Sequence, residues 1–163
     1  MKNFLMCFVY AGRGVWHCLR CERNFRFHLT AAVYALALAT RFSLTRAEWA
    51  VLLLVIGLVL AAEAVNTAVE QVVDLASPHR SNRARVAKDV AAGAVLLCAV
   101  AALAVAVALF WRPTVWSAIL SELAAQPWKA IVLLLSVPAA LLFIIRGGRH
   151  GKPLPPRDVN TPE

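Results

Sequence analysis

The chain is poor in cysteine, glycine, proline and acidic side chains. Its 163 residues include 4 cysteines, 7 glycines and 8 prolines, and 9 aspartates and glutamates against 17 lysines and arginines. Four cysteines do not make a disulfide scaffold at this length, so nothing in the chain requires an oxidising compartment. Apolar residues dominate instead, since 61% of the chain is hydrophobic and its mean hydropathy is +0.68. The chain is too short for two globular domains and too apolar for one soluble domain, which indicates a small helical membrane protein.

The positive charge of the chain lies beside its apolar segments. A formal net charge of +8 would suit nucleic acid. Cations at the ends of apolar spans, however, act as topology signals and lipid-headgroup partners, so no nucleic-acid partner is predicted. Residues 1–27, the loop 76–88 and the C-terminal tail hold 5, 4 and 4 cations, and the two remaining connections hold 2 each. The positive-inside rule therefore puts both termini and the 76–88 loop in the cytoplasm.

The predicted fold is all-α and transmembrane. An amphipathic helix over residues 3–22 is expected to lie on the membrane surface. Apolar runs predict three core spans and a fourth, additional span, at about 27–42, 49–75, 86–111 and 129–145. Residues 1–111 are interpreted as one domain. Residues 112–163 form a C-terminal extension, with an interfacial helix or loop over 114–128 before the fourth span and a basic tail after it.

The second predicted span carries acids at bilayer depth. At about 100° per residue, its four polar groups fall at roughly 0°, 300°, 340° and 20°, on one narrow stripe formed by Glu63, Asn66, Glu70 and Asp74. An acidic side chain inside a membrane span usually indicates a functional site. The alternative is that the stripe is only a polar contact between helices, with its acids neutralised or paired to basic residues. Trp49 marks one interface. With a hydrocarbon core of about 30 Å, Glu63 then lies just inside the membrane, and Glu70 and Asp74 reach the opposite interface.

Three further polar residues are predicted to meet this stripe at the cytoplasmic interface, namely Tyr10, Glu22 and Lys88. Grouped carboxylates suit Mg²⁺, a hard ion that takes oxygen ligands, while lysine and arginine suit phosphate oxygens. A carboxylate at the depth of a lipid headgroup can serve as a base towards a lipid hydroxyl. Phosphoryl transfer needs this combination, so the residues alone suggest a lipid kinase.

Two other classes of protein remain open from the residues alone. A transporter or proton relay also uses intramembrane acids, but it favours charges near the midplane and does not need Glu22 and Lys88 at one interface. A structural membrane subunit would tolerate replacement of Glu63.

Two smaller patterns are given no catalytic or metal-binding role. Cys18 and Cys21 form a single CxxC pattern after His17, but no second ligand pair follows, so they are read as two small helix residues rather than a zinc or redox site. His28 is interpreted as a headgroup or interhelical contact rather than a metal ligand.

The acid stripe also resembles a known signature. The chain is similar to the small integral-membrane prokaryotic diacylglycerol kinase/undecaprenol kinase family over roughly residues 5–111. Three motifs carry the resemblance, namely Glu63-x-x-Asn66-Thr67-Ala68-Val69-Glu70-x-x-Val73-Asp74, Glu22-x-Asn24-Phe25-Arg26 and Ala87-Lys88-Asp89. The resemblance implies three-span protomers with an N-terminal surface helix, in a bacterial cytoplasmic membrane. It also implies a homotrimer whose active sites are shared between neighbouring protomers.

The resemblance implies roles for individual residues. Glu63 would be the general base on the lipid hydroxyl, and Glu22 and Glu70 would hold Mg²⁺ with ATP. The other expected members are Asn66, orienting the reacting groups, Asp74 and Asp89, supporting the site, Lys88, binding phosphate, and Tyr10, contacting the nucleotide. The chain departs from the family pattern twice. Asn3 stands in place of an N-terminal arginine, and about His79 in place of a loop glutamate, so nucleotide contacts there are not implied.

The same resemblance bears on the lipid acceptor. The segments Asn24–His28 and Lys88–Val95 look more like undecaprenol kinase members than like the diacylglycerol kinases of Gram-negative bacteria. The expected product is undecaprenyl phosphate, with phosphatidic acid from diacylglycerol as the other possibility. The region after Arg112 lies outside the resemblance.

Overall fold

A computed structural model describes residues 2–77 and 81–146 of the chain. The regular structure in these residues is helical throughout and consists of α1 (Lys2–Cys21), α2 (Arg23–Ala39), α3 (Arg46–Ala76), α4 (Asn82–Phe110), α5 (Pro113–Ala125) and α6 (Pro127–Ile145). The prediction of an all-α fold is confirmed. The segment 114–128, left open between helix and loop, holds most of α5 and the start of α6. The predicted basic tail beyond Arg146 lies outside the described residues.

Three of the described helices are long and apolar enough to cross a membrane. They are α3, α4 and α6, whose most apolar windows have mean hydropathies of 2.2, 2.8 and 2.3. Helix α2 has 17 residues, or about 25 Å of helix, at the short end of the range for a span. It ends at Ala39, three residues before the predicted end of the first span.

Local sequence explains where the long helices begin. The Thr45 hydroxyl accepts a hydrogen bond from the Glu48 backbone N–H at 3.3 Å, and the Thr45 N–H donates to the Glu48 carboxylate at 2.7 Å. This reciprocal capping box starts α3 immediately after the turn that follows α2. The Ser81 hydroxyl caps α4 in the simpler way, accepting from the Ala84 N–H at 3.1 Å.

A cluster of buried apolar residues lies at the end of the bundle where α2 leads into α3 and α4 leads into α5. They are Ala39, Phe42, Leu52, Leu109 and Phe110. The Phe42 ring makes edge-to-face contacts with Phe110 and Trp116, with centroids 5.0 and 5.7 Å apart. Arg112 joins the same elements, because it donates to the Phe42 carbonyl at 2.9 Å and forms an ion pair with Glu48. We call these five apolar residues, together with Trp116 and Arg112, the turn-end core. They hold together the end of the bundle that lies opposite the acid stripe.

The C-terminal extension packs back on the first 111 residues through α6 and α2. The Tyr34 hydroxyl and the Ser136 hydroxyl lie 2.8 Å apart, and Arg26 donates to the Phe143 carbonyl at 2.8 Å. Arg26 is only 4% exposed. Its cation meets the last turn of α6, where unpaired carbonyls and the helix dipole favour positive charge. The extension is therefore held in place by α2.

The turn-end core supplies a stability prediction. Arg112→Met keeps the long apolar stem but removes the charged hydrogen bonds to Phe42 and Glu48. Since such bonds contribute about 1.5–3 kcal/mol, we expect the thermal midpoint in detergent to fall by about 4–8 °C. Arg83→Met, at an exposed arginine near the other end of α4, is the matched control. Equal midpoints for the two variants would contradict a structural role of Arg112.

Candidate active site

The acid stripe of α3 runs from a buried residue to an exposed one. Glu63 and Asn66 are 3% and 8% exposed, Glu70 is half-buried, and Asp74 is exposed. Helical periodicity puts all four residues on one side of α3. The neighbouring helices cover that side at Glu63 and Asn66 and leave it open at Asp74. A carboxylate buried to this degree needs a donor, because an unpaired buried charge is strongly unfavourable.

Helix α2 provides the partner of the Glu63 carboxylate. His28 Nε2 lies 3.2 Å from Glu63 Oε1, so the interhelical contact expected of His28 is made with the deepest acid of the stripe. One turn later the Thr67 hydroxyl donates to the Glu63 backbone carbonyl at 3.0 Å. Thr67 is itself 5% exposed, so both the side chain of Glu63 and its helical turn are fixed in a closed environment.

Asn66 and Glu70 form the next contact along the stripe. Asn66 Nδ2 donates to Glu70 Oε1 at 2.9 Å. The amide must be oriented this way, because an ionised carboxylate only accepts hydrogen bonds. Asn66 Oδ1 therefore points away from Glu70, and this buried oxygen has no hydrogen-bond partner among the described residues. A buried acceptor without a partner is unfavourable, so the position suits a donor or a cation supplied by a bound molecule.

The exposed end of the stripe is joined to α4. Lys88 Nζ lies 2.5 Å from Asp74 Oδ1, which ties α3 and α4 on either side of the connection between them. The side chains are 36% and 69% exposed, and such pairs contribute at most about 1 kcal/mol to stability. The effect of the pair is to hold the Lys88 cation beside the stripe. Asp89 follows it as an exposed residue of α4.

Helix α1 contacts α3 beside the stripe, close to its junction with α2. Glu22 is the N-cap residue of α2 and is half-buried. Burial raises the pKa of the nearby Cys18 thiol, a hydrogen bond with Thr67 partly opposes this, and the negative charge of Glu22 adds to it. Cys18 thus links α1 to Thr67 of α3 and lies near Glu22. The raised pKa keeps Cys18 as an unreactive thiol at neutral pH.

The CxxC segment of α1 takes part in hydrogen bonding between helices. His17 Nδ1 lies 3.7 Å from Cys21 Sγ, and His17 Nε2 lies 3.0 Å from Gln71 Nε2. Both imidazole nitrogens are therefore engaged, one of them with a residue next to Glu70. Within residues 2–77 and 81–146, no group of three or more His, Cys, Asp or Glu side chains is arranged to hold a metal ion.

The oxygen ligands at the stripe fit magnesium better than a transition metal. Magnesium keeps several waters and binds one or two carboxylates together with substrate phosphates, so a closed cage of protein ligands is not required. Glu70 would supply a carboxylate and Asn66 Oδ1, which has no partner among the described residues, a neutral oxygen. Glu22, at the α1–α2 junction, would supply a second carboxylate. The residues present thus fit the ion expected from the sequence.

The structure pairs some of the predicted site residues with one another and gives Glu63 a partner from α2. It pairs Asn66 with Glu70 and Asp74 with Lys88, and it leaves Tyr10 exposed on α1 and Asp89 exposed on α4. The Asn3 side chain and His79 lie outside the described residues. Sequence reasoning missed the contact of His28 with Glu63 and that of Thr67 with the Glu63 backbone. Thr67 could have been found, because it stands four residues after Glu63 on the same helix face.

Comparisons with known proteins agree on one family. Residues 9–110 match the family described as prokaryotic diacylglycerol kinase. The undecaprenol kinase of Bacillus subtilis is 40% identical over 110 residues, which cover 68% of this chain and 89% of that protein. The diacylglycerol kinase of a Synechocystis species is 42% identical over 112 residues, covering 68% of this chain and 64% of that protein, just under two thirds of its length. No solved structure matches the chain.

Proposed function

The chain belongs to the prokaryotic diacylglycerol kinase family and is a lipid kinase, and we propose that it transfers the γ-phosphate of ATP to the hydroxyl group of undecaprenol at the cytoplasmic face of the membrane. The observation that carries this proposal is the position of Glu63. Its carboxylate is 3% exposed, in a helix apolar enough to cross a membrane, while the next acids on the same face become steadily more exposed. A lipid hydroxyl and a water-soluble nucleotide can meet along such a gradient.

Glu63 acts in this proposal as the general base. Its carboxylate takes the proton of the lipid hydroxyl as the new O–P bond forms, and the bond between the γ-phosphorus and its bridging oxygen breaks to release ADP. The surrounding protein excludes water from Glu63, which favours transfer to the lipid over hydrolysis of ATP.

Glu70 and Glu22 are proposed to hold magnesium. When bound, the ion neutralises the charge of the nucleotide phosphates. Asn66 contributes in two ways that its contacts support. Its Nδ2 fixes one oxygen of Glu70 at 2.9 Å, and its unpartnered Oδ1 is available to the reacting groups.

The remaining predicted residues are assigned to the nucleotide. Lys88, held by Asp74, is proposed to bind phosphate oxygens, which an ammonium group does as a mobile point charge. Asp89 supports this end of α4. Tyr10, on the exposed surface of α1, is proposed to contact the nucleotide.

The assay that tests the proposal compares two acceptors, since one relative is named an undecaprenol kinase and the other a diacylglycerol kinase. Purified protein in detergent is given radiolabelled ATP, magnesium and either undecaprenol or diacylglycerol. We expect labelled undecaprenyl phosphate at the higher kcat/KM. A higher kcat/KM for diacylglycerol would show that diacylglycerol, and not undecaprenol, is the preferred acceptor. No labelled product from either lipid would overturn the assignment of lipid-alcohol phosphorylation.

We also propose that the protein assembles as a homotrimer with both termini in the cytoplasm, as the family resemblance and the distribution of cations suggest. Native mass spectrometry is expected to give three copies, and a green fluorescent protein fused to the C-terminus should fluoresce. Mixed trimers of Glu63→Gln and Glu22→Gln chains test whether sites are shared. Recovered activity requires that the two residues of a working site come from different protomers, and its absence would reject sharing of these two residues.

A further inference from the structure

His28 contacts Glu63 but has no role in the proposed reaction, on which this inference rests. Its imidazole Nε2 lies 3.2 Å from Glu63 Oε1, the His28 side chain is 19% exposed, and that of Glu63 is 4% exposed. The two residues come from different helices, α2 and α3. Among the described residues, His28 forms an ion pair with the Glu63 carboxylate. We infer that His28 is the positioning residue of the base: its Nε2–H binds one carboxylate oxygen of Glu63 and turns the other towards the lipid hydroxyl.

The geometry limits what His28 can do. A carboxylate on a flexible side chain has two equivalent oxygens, and rotation of its last torsion exchanges or tilts them. A donor on one oxygen removes that freedom and leaves the second oxygen as the acceptor for a proton. Holding the base in this way reduces the motion that must be lost in the transition state, so the effect falls on turnover.

Neighbouring contacts make the donor itself rigid. The Phe27 ring stands edge-on to the imidazole with centroids 5.3 Å apart. Helix α2 is anchored on its far side, because Arg26 and Tyr34 hydrogen bond to α6 at 2.8 Å each. The side chain of His28 is therefore carried by a helix that is fixed independently of Glu63, as a positioning role requires.

A purely structural contact would give a different pattern of effects. If the pair merely joined α2 to α3, its loss would lower stability and any polar replacement would be equally good or bad. A positioning contact depends on where the donor atom lies. Glutamine places its amide nitrogen at about the reach of imidazole Nε2, whereas asparagine is one methylene shorter and cannot reach the same oxygen.

The test uses three variants of His28 in the full-length protein with the lipid acceptor that it phosphorylates. His28→Phe keeps an aromatic ring and loses the donor, and we expect kcat to fall at least about 30-fold while the KM for ATP stays within about twofold. His28→Gln should keep kcat within about fivefold of the wild type, and His28→Asn should resemble His28→Phe. Tyr34→Phe, which removes an interhelical hydrogen bond of the same helix remote from Glu63, should change kcat less than twofold.

The outcomes separate this inference from the proposed function on which it rests. Wild-type turnover in His28→Phe, or equal losses in the glutamine and asparagine variants, would overturn the positioning role while Glu63→Gln remained inactive. Full activity of Glu63→Gln would instead overturn the assignment of the base. If His28→Phe fails to fold, the comparison of glutamine with asparagine decides alone, since those variants carry the same amide group.

Discussion

Glu63→Gln is expected to lower kcat by about 1,000-fold or more while the affinity for Mg–ATP stays within about twofold. Glutamine has the shape of glutamate but cannot accept the proton of the lipid hydroxyl, and removal of a general base costs about 10²–10⁴-fold in rate. The Glu63 carboxylate is buried beside His28, whereas the acids proposed to bind magnesium lie elsewhere on the stripe and at the α1–α2 junction. Rate is measured with radiolabelled ATP and a lipid acceptor, and affinity by calorimetry.

A matched substitution shows whether the loss belongs to this carboxylate. Glu122→Gln changes an acid on α5, in the C-terminal extension, that forms ion pairs with Arg41 and Lys129. We expect it to leave kcat unchanged. Turnover of Glu63→Gln close to that of Glu122→Gln would remove Glu63 from the mechanism. Loss of nucleotide binding in Glu63→Gln would reassign it from the lipid to the nucleotide.

Glu70→Gln is expected to have the complementary effect. The magnesium concentration for half-maximal activity and the KM for ATP should both rise at least about tenfold, since a negatively charged ligand of a hard cation becomes neutral. The amide oxygen of glutamine can still accept the hydrogen bond from Asn66 Nδ2, which now measures 2.9 Å. Local packing is therefore kept, and the change reports on charge.

The magnesium titration of Glu70→Gln has its own control in Glu63→Gln. The two residues stand on one face of the same helix, so the same substitution at each separates binding from chemistry. Higher magnesium should restore much of the rate of Glu70→Gln and none of the rate of Glu63→Gln. An unchanged magnesium requirement in Glu70→Gln would contradict its role as a ligand.

The sequence predicts the helices well because their signals are local. A period of 3.6 residues, long apolar runs and breaks at polar or proline-containing segments predict five of the six helices in the described residues, whereas the segment that holds α5 was left open between helix and loop. The stripe from Glu63 to Asp74 follows from the same periodicity, since positions three or four apart must share a helix face. That these residues share one face of the helix could be predicted without knowing the rest of the fold.

Contacts between helices were beyond the reach of the sequence. His28 and Glu63 are 35 residues apart, and nothing in the pattern of α2 specifies which residue its imidazole meets. The same holds for the C-terminal extension. Its apolar run predicts a helix, but only the packing of Tyr34 on Ser136 and of Arg26 on Phe143 shows where that helix lies.

The sequence by itself determined that this protein is helical and membrane-embedded, and that one helix face carries Glu63, Asn66, Glu70 and Asp74. Those properties depend on residue type and on spacing along one helix. The tertiary structure decided which acids meet a partner from another helix, with His28 on Glu63 and Lys88 on Asp74. Interhelical partners depend on the rotation and height of each helix in the bundle, which are set by packing over the whole chain rather than by any one segment.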